Sequence, residues 1–410
     1  MAKIEKVSPL APASFPDIPN INGVNFSTAS AGIKYQGRND VMLAVLDPGT
    51  EIAGVFTSSS TRSFAVIDCE KKINLKDNSS GAAIVVNSGN ANAFTGSRGK
   101  VSVEAITSVA AEVLNIPRSR IFSSSTGVIG EELPHDLIID ALEKMVADKT
   151  KKDIFEAAKA IMTTDTYPKG SLQKVLTDQG EITIAGIAKG SGMIAPNMAT
   201  MLVYLFTDAL VKKHVLQSYL SEINERTFNS ISVDGDTSTS DTLLMAATGK
   251  SDIKIEKNDE NFSKGLASLM TDLAHQVVKD GEGASKFVEI NIVNARSKTD
   301  AKTHAKSIAN SPLVKTAIAG EDPNWGRIVM AIGKSGAQAE RDKIKIFFGD
   351  ILVAENGWVA PNYSEEIGAQ YMKNATIKIS VDLGLGKENT TFWTCDFTKD
   401  YISINADYRS

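Results

Sequence analysis

The chain has 410 residues, 42% of them apolar and 23% charged, and a formal net charge of −5. That length can bury a large core and predicts a soluble globular protein of two or three domains, while the mildly acidic balance lacks the basic stripe that nucleic-acid binding demands. No apolar run approaches the roughly 20 residues needed to span a bilayer, and the start Met1-Ala-Lys-Ile-Glu-Lys-Val7 has neither a signal-peptide apolar stretch nor arginine-rich transit character, so cytoplasmic residence is the default expectation.

Taken in chain order, the apolar runs Val41–Leu46 and Ala83–Val86, bounded by Gly, Asn or Asp, predict strands buried on both faces. Val103, Ile106, Ala110 and Val113 recur at helical spacing, as do Leu137, Ile138, Ala141, Leu142 and Met145 after a first-turn Pro134; both predict helices laid on a sheet. Met201–Phe206 reads as a further buried strand. Leu266, Leu269, Leu273 and Val277 form another helical stripe, with Gly281 where a left-handed cap would end the helix and Glu282 on the loop just past it. From about residue 285 the pattern alternates, at Val288–Ile292, Ile344–Phe347 and Thr376–Leu383, which predicts a separate α+β lobe with half-exposed strands.

Chemistry concentrates in Lys189-Gly-Ser-Gly-Met-Ile-Ala-Pro-Asn-Met-Ala-Thr200, which runs into the strand at Met201. Gly190, Gly192 and Pro196 cannot extend a regular helix, so the chain enters Thr200 from an irregular turn, from which its hydroxyl can attack the preceding carbonyl. Scission of Ala199–Thr200 by an N-to-O acyl shift and ester hydrolysis would leave Thr200 with a free α-amine, of unperturbed pKa about 8, beside its Oγ: a nucleophile with a built-in base. An ordinary glycine-rich loop before a strand has the same pattern. Gly190-Ser-Gly-Met-Ile-Ala195 also fits a dinucleotide-binding fingerprint formally, but Pro196 and the missing helix oppose it; Gly333-Lys-Ser335 lacks a phosphate loop's first glycine, with Ile328 in its place. Ile121-Phe-Ser-Ser-Ser-Thr126-Gly127 reads as a strand ending in a hydroxyl and an exposed N–H, or as a serine-rich turn. Lys189 lies eleven residues before Thr200, within reach of a hairpin-like return. Asp234, Asp236 and Asp241 match no Ca²⁺-loop spacing and are expected to bond backbone near the site. Cys69 and Cys395 have no close cysteine or histidine in sequence, so no metal site is expected and both read as packed free thiols.

Eight ordered segments together resemble the ornithine acetyltransferases, also called glutamate N-acetyltransferases, of arginine biosynthesis: Asn87–Ala93, Ser125–Gly130, Met162–Asp165, Lys189–Thr200, Val233–Thr239, Asp280–Ala284, Gly320–Arg327 and Ile404–Arg409. The resemblance implies an α+β fold with two stacked sheets between helical layers, similar to but distinct from the N-terminal nucleophile hydrolases, plus a smaller C-terminal lobe. It divides the chain into 1–199 and 200–410, with 200–284 in the core and 285–410 as the lobe. It implies Thr200 as the acetylated nucleophile, Thr126 and Gly127 as the oxyanion hole, and Thr163, Lys189, Thr200, Glu282, Asn405 and Ser410 as substrate contacts, Thr164 standing as the alternative to Thr163. The expected reaction moves acetyl from N-acetylornithine to glutamate without a cofactor, some members taking acetyl-CoA as a further donor, in an assembly of two of each fragment. The rival readings are an N-terminal-nucleophile amidase or aminopeptidase, in which water resolves the ester, and a non-catalytic scaffold, which would neither cut itself nor trap acetyl.

Overall fold

The computed structural model describes residues 6–75, 79–148, 152–195 and 201–406. The chain divides into two units, one of Ala13–Asn229 with Asp236–Val277, the other of the described residues in Met1–Pro12, Ser230–Gly235 and Val278–Ser410.

In the first unit, β1 (Val24–Ala29), β2 (Val41–Leu46), β3 (Glu51–Phe56), β4 (Ala82–Asn90), β5 (Ile121–Val128), β6 (Lys169–Thr177), β7 (Gly180–Lys189), β8 (Leu202–Thr207), β9 (Leu210–Val211), β10 (Thr242–Ala247) and β11 (Lys254–Ile255) alternate with α1 (Phe64–Ile73), α2 (Gly96–Leu114), α3 (His135–Ala147), α4 (Ile154–Ala160), α5 (Lys213–Glu225) and α6 (Glu260–Lys279). They make a four-stranded sheet, β1-β2-β4-β5, a five-stranded sheet, β3-β10-β8-β7-β6, and the small pair β11-β9.

Strands apolar at every position need an apolar layer on both sides, because successive side chains point to opposite faces. In β2, Met42, Ala44 and Leu46 share a core with Tyr204 and Phe206 of β8 and Leu244 of β10. Val41 and Leu43 instead join Ala83, Val85 and Ile121 beneath Ile106 and Ala110 of α2 and Ile138 and Leu142 of α3. On the far side of the five-stranded sheet, Leu273 of α6 comes so close to Gly186 that an added Cβ would lie 3.2 Å from it, and Gln217 of α5 makes two 3.0 Å hydrogen bonds to the backbone of Gly54 in β3. The layers run helices, sheet, sheet, helices, as expected. An edge-on contact between Phe26 of β1 and Phe206 of β8, 5.2 Å between centroids, joins the two sheets.

The second unit is a six-stranded sheet, from β12 (Phe287–Ala295), β13 (Lys345–Phe348), β14 (Ile351–Glu355), β15 (Trp358–Val359), β16 (Thr376–Asp382) and β17 (Glu388–Cys395), in the order β15-β14-β13-β16-β12-β17. Its helices are α7 (Lys298–Ala309), α8 (Pro312–Ala319), α9 (Trp325–Gly333), α10 (Glu365–Met372) and α11 (Lys399–Ala406). The alternation in β16 is resolved as Ile377, Ile379 and Val381 buried and Thr376 and Lys378 exposed. The buried set packs with Ala301, Ala305 and Ile308 of α7. The segment 230–235 belongs to this unit because the Ser232 N–H donates to the Trp393 carbonyl of β17 at 2.9 Å.

Two local expectations shift. Pro134 occupies the cap position and α3 begins at His135. Gly281 is not left-handed: α6 ends at Lys279, and the positive φ falls on Gly283, at +71°. What keeps Gly281 small is space, since a Cβ there would lie 2.8 Å from Cys395 Sγ. Cys69 and Cys395 are free and buried, and burial pushes their thiols up to about 12 and about 11. No helix among the described residues is long and apolar enough to cross a membrane.

Because Phe206 lies in the layer shared by the two sheets, Phe206→Ala should cost about 3–5 kcal/mol, measured by urea denaturation. A loss below about 1 kcal/mol would show that the layer collapses around the gap.

Candidate active site

The parallel strands β4 and β5 come together at Gly89 and Gly127. Gly127 has φ +136°, and a Cβ there would sit 2.2 Å from the Gly89 carbonyl carbon, so the backbone approach admits only glycine. Buried amides brace the turn beside it. Ser125 Oγ donates to Asn87 Oδ1 at 2.7 Å, and Asn87 Nδ2 to the Asn90 carbonyl at 2.9 Å. Asn90 Nδ2 reaches the carbonyls of Glu131 and Glu132, both at 3.2 Å. Thr126 and Gly127 are thereby presented on a rigid strand end.

Lys189 ends β7 opposite Leu202, the first residue of β8. It is 5% exposed, and its Nζ donates to Thr126 Oγ1 at 3.2 Å, bridging the two sheets. A buried cation needs compensation, and a buried carboxylate, Asp165, supplies part of it. Asp165 accepts from Lys169 Nζ and from the Gly190 N–H, both at 2.6 Å, and from the Thr163 N–H at 2.9 Å. Burial pushes this carboxyl up, but the charges of Lys169 and Lys189 and these hydrogen bonds outweigh it and hold the group well below the usual carboxylate range. The Thr164 hydroxyl pairs with Ser191 Oγ at 2.7 Å, so the two threonines have different partners: Thr163 meets Asp165 through its backbone, Thr164 meets the glycine-rich stretch through its side chain.

Ala199 and Thr200 lie outside the described residues, as does Ser410. Met201, which follows Thr200, is buried, and its carbonyl accepts from the Thr242 N–H at 3.1 Å. Parallel pairing of Thr242 with Leu202 sets Asp241 beside Met201. Asp241 is 2% exposed. Burial pushes its carboxyl well above the usual range, and the Met201 N–H, the Lys189 charge and hydrogen bonds from the Thr57 and Ser238 side chains offset this only in part. Asp234 lies in the second unit, where it accepts from the Tyr401 hydroxyl at 3.4 Å, so the three carboxylates of the 234–241 stretch do not share one environment.

In the second unit Glu282 is buried and accepts from Asn405 Nδ2 at 2.8 Å. The chain turns sharply behind it at Gly283, whose added Cβ would meet the Tyr401 nitrogen at 2.6 Å. Asp396 then receives the N–H groups of Ser285 and Lys286, at 2.8 and 2.9 Å, and Ser285 Oγ at 2.5 Å. Sequence reasoning singled out Thr126, Gly127, Lys189, Glu282 and Asn405 but missed the bracing roles of Asp165, Lys169, Asn87 and Asp396. A carboxylate and a lysine four apart, Asp165 and Lys169, are the only local signal of those braces.

A strand end carrying a hydroxyl, a buried cation touching that hydroxyl and a buried carboxylate near the cation lie together in a layered two-sheet fold. The chain belongs to the ArgJ family, whose sequence pattern matches residues 25–410. It is similar to the arginine biosynthesis bifunctional protein ArgJ of Ruegeria pomeroyi, with 60% identity over 100% of both chains. The protein of the same name from Brucella suis is 51% identical, over 98% of this chain and 99% of its own. The crystal structure of arginine biosynthesis bifunctional protein ArgJ from Bacillus halodurans is 41% identical over 50% of this chain and 99% of its own, with a TM-score of 0.49.

Lys169→Met should leave Asp165 underpaired and cost about 3–5 kcal/mol at neutral pH, read by chemical denaturation. A carboxyl held below its unfolded value stabilises the fold above about pH 4 and gives that up as the pH falls further. The gap between wild type and variant should therefore narrow in acid; a gap independent of pH would mean the loss is one of packing alone.

Proposed function

We propose that this acetyltransferase of arginine biosynthesis carries acetyl from N-acetylornithine to glutamate as an ester on Thr200, after cutting its own Ala199–Thr200 bond. The observation that carries the mechanism is the 3.2 Å contact of Lys189 with Thr126, made where β7 faces the first residue of β8. In maturation Thr200 Oγ displaces its own nitrogen from the Ala199 carbonyl, and water hydrolyses the resulting ester, leaving a carboxylate on Ala199 and an amine on Thr200. That amine then takes the Oγ proton as Oγ adds to the acetyl carbonyl of N-acetylornithine. The tetrahedral oxyanion is met by the Gly127 N–H and by Thr126. Because Lys189 donates to Thr126 Oγ1, the threonine's own proton is left to donate onward, and a donor polarised by a cation is the stronger for it. Ornithine departs with the proton, and the amine of glutamate collects the acetyl group and restores Thr200.

Lys189 serves a second purpose by pairing with the substrate α-carboxylate and, through like-charge repulsion, keeping the Thr200 amine neutral. Thr163 and Ser410 complete the carboxylate contacts, while Glu282, held by Asn405, receives the side-chain ammonium of ornithine. The name bifunctional, shared by the Ruegeria and Brucella relatives, fits acetyl-CoA as a further donor to the same ester. Fragments 1–199 and 200–410 remain associated, two of each, in the cytoplasm.

Intact mass under denaturing conditions, before and after incubation with N-acetylornithine, tests this. Two fragments, with one acetyl group gained by the C-terminal one and lost on adding glutamate, are expected; release of acetate in place of N-acetylglutamate would make the protein a hydrolase. Thr200→Ala should give one uncut, inactive chain. Thr126→Ala should lower kcat about 10²- to 10³-fold, the worth of one oxyanion donor, and an unchanged kcat would remove Thr126 from that role.

A further inference from the structure

We propose that Arg38 receives the side-chain carboxylate of the acceptor glutamate and so sets acceptor specificity in the second half-reaction. This rests on the reading of one pocket that serves ornithine and glutamate in turn. The two amino acids share an α-carboxylate but carry opposite charges at the far end of the side chain. Glu282, the partner of the ornithine ammonium in that reading, repels a second carboxylate, and Lys189 is engaged with the first. Glutamate therefore needs a further cation.

The connection between β1 and β2 brings one to the end of the layer between the sheets. Asp40 is buried and accepts from the Ala31 and Ile33 N–H groups at 2.6 and 2.8 Å, while its carbonyl accepts from the Ser88 N–H at 2.9 Å, which ties the connection to β4. Lys34 packs on Gly89, where an added Cβ would lie 2.7 Å from the Lys34 Cβ. The Arg38 guanidinium sits over the Tyr35 ring, 4.0 Å from its centroid. Its Nη2 donates to the Met162 carbonyl and, at 3.4 Å, to Ser88 Oγ. Both contacts lead to residues of the candidate site. Ser88 is in register with Thr126 in the parallel pair of β4 and β5, so the two side chains share one face of the sheet, and Met162 immediately precedes Thr163.

What Arg38 lacks is an anion. Among the described residues no carboxylate pairs with it, and its Nε is buried with no hydrogen-bond partner. The neighbouring cations are already answered: Lys34 pairs with Glu131 at 3.7 Å, and Asp165 lies against both Lys169 and Lys189. A guanidinium held over an aromatic ring with N–H groups left to satisfy is preorganised for a carboxylate, whose two oxygens match its fork. Ornithine brings no such group, so the contact acts on the acceptor and not on the donor.

The test compares glutamate with glutamine, of the same shape but neutral at the side chain, as acceptors of acetyl from N-acetylornithine. Wild type should prefer glutamate. In Arg38→Met the ratio of kcat/KM for glutamate to that for glutamine should fall about 10- to 100-fold, the worth of a charge-assisted contact, and Arg38→Lys, which keeps the charge without the fork, should recover part of it. A loosened loop would slow both acceptors alike and leave the ratio where it was. An unmoved ratio, or an effect confined to the KM for acetyl-CoA, would overturn the proposal, the latter by making the site one for phosphate. A wild type that takes glutamine as readily as glutamate would overturn it without any variant. Should the Met variant not fold, Arg38→Gln decides, because it keeps an amide donor for the Met162 carbonyl and removes the charge. A wild-type protein that gains no acetyl from N-acetylornithine would overturn the Thr200 reading itself, an outcome separate from an acetylated, active wild type whose Arg38 variants keep their preference for glutamate.

Discussion

One buried cation sets the terms for everything around it. Lys189 sits where water cannot solvate it, at the end of the strand that leads into the glycine-rich stretch, and such a charge is tolerated only with an anion and acceptors already in place. Asp165 answers that demand, and in doing so collects Lys169, the Gly190 N–H and the Thr163 N–H. A single carboxylate thus ties together β6, the start of the glycine-rich stretch and the threonine pair. Through Lys189 the same network reaches across to Thr126 on the other sheet, so the position of that strand end is tied to the electrostatics that make the cation bearable.

The two carboxyls near Lys189 show how environment pushes one residue type in opposite directions. Asp165 meets two lysine charges and is held ionised; Asp241, equally buried, meets the charge of Lys189 alone, and burial prevails over that charge and its hydrogen bonds.

The sequence revealed this architecture unevenly, for physical reasons. β2, β8 and β16 are rich in Val, Ile and Phe or alternate cleanly, so their period is visible. β10, Thr-Leu-Leu-Met-Ala-Ala, is built from residues that favour helices, and it is a strand because β3 and β8 pair with it on both sides. Gly127 stands out within its motif, but the reason it must be glycine is Gly89, on another strand. The place of Gly281 after a helix suggests a cap, whereas its constraint comes from Cys395 far along the chain. Contacts between residues distant in sequence, such as Lys189 with Thr126, leave no local period; the resemblance to a family pointed to both residues and could not supply their geometry.

The order of the five-stranded sheet, β3-β10-β8-β7-β6, bears on what a cut before β8 would mean. Counted by fragment, the strands read first, second, second, first, first: the two strands downstream of the cut are clasped on each side by strands from upstream. Neither piece holds this sheet whole, and each presents unpaired edges of it that only the other can cover. Scission there would therefore change the chemistry at one nitrogen without a change of partnership. The halves are interleaved, and to part them would be to melt the core itself.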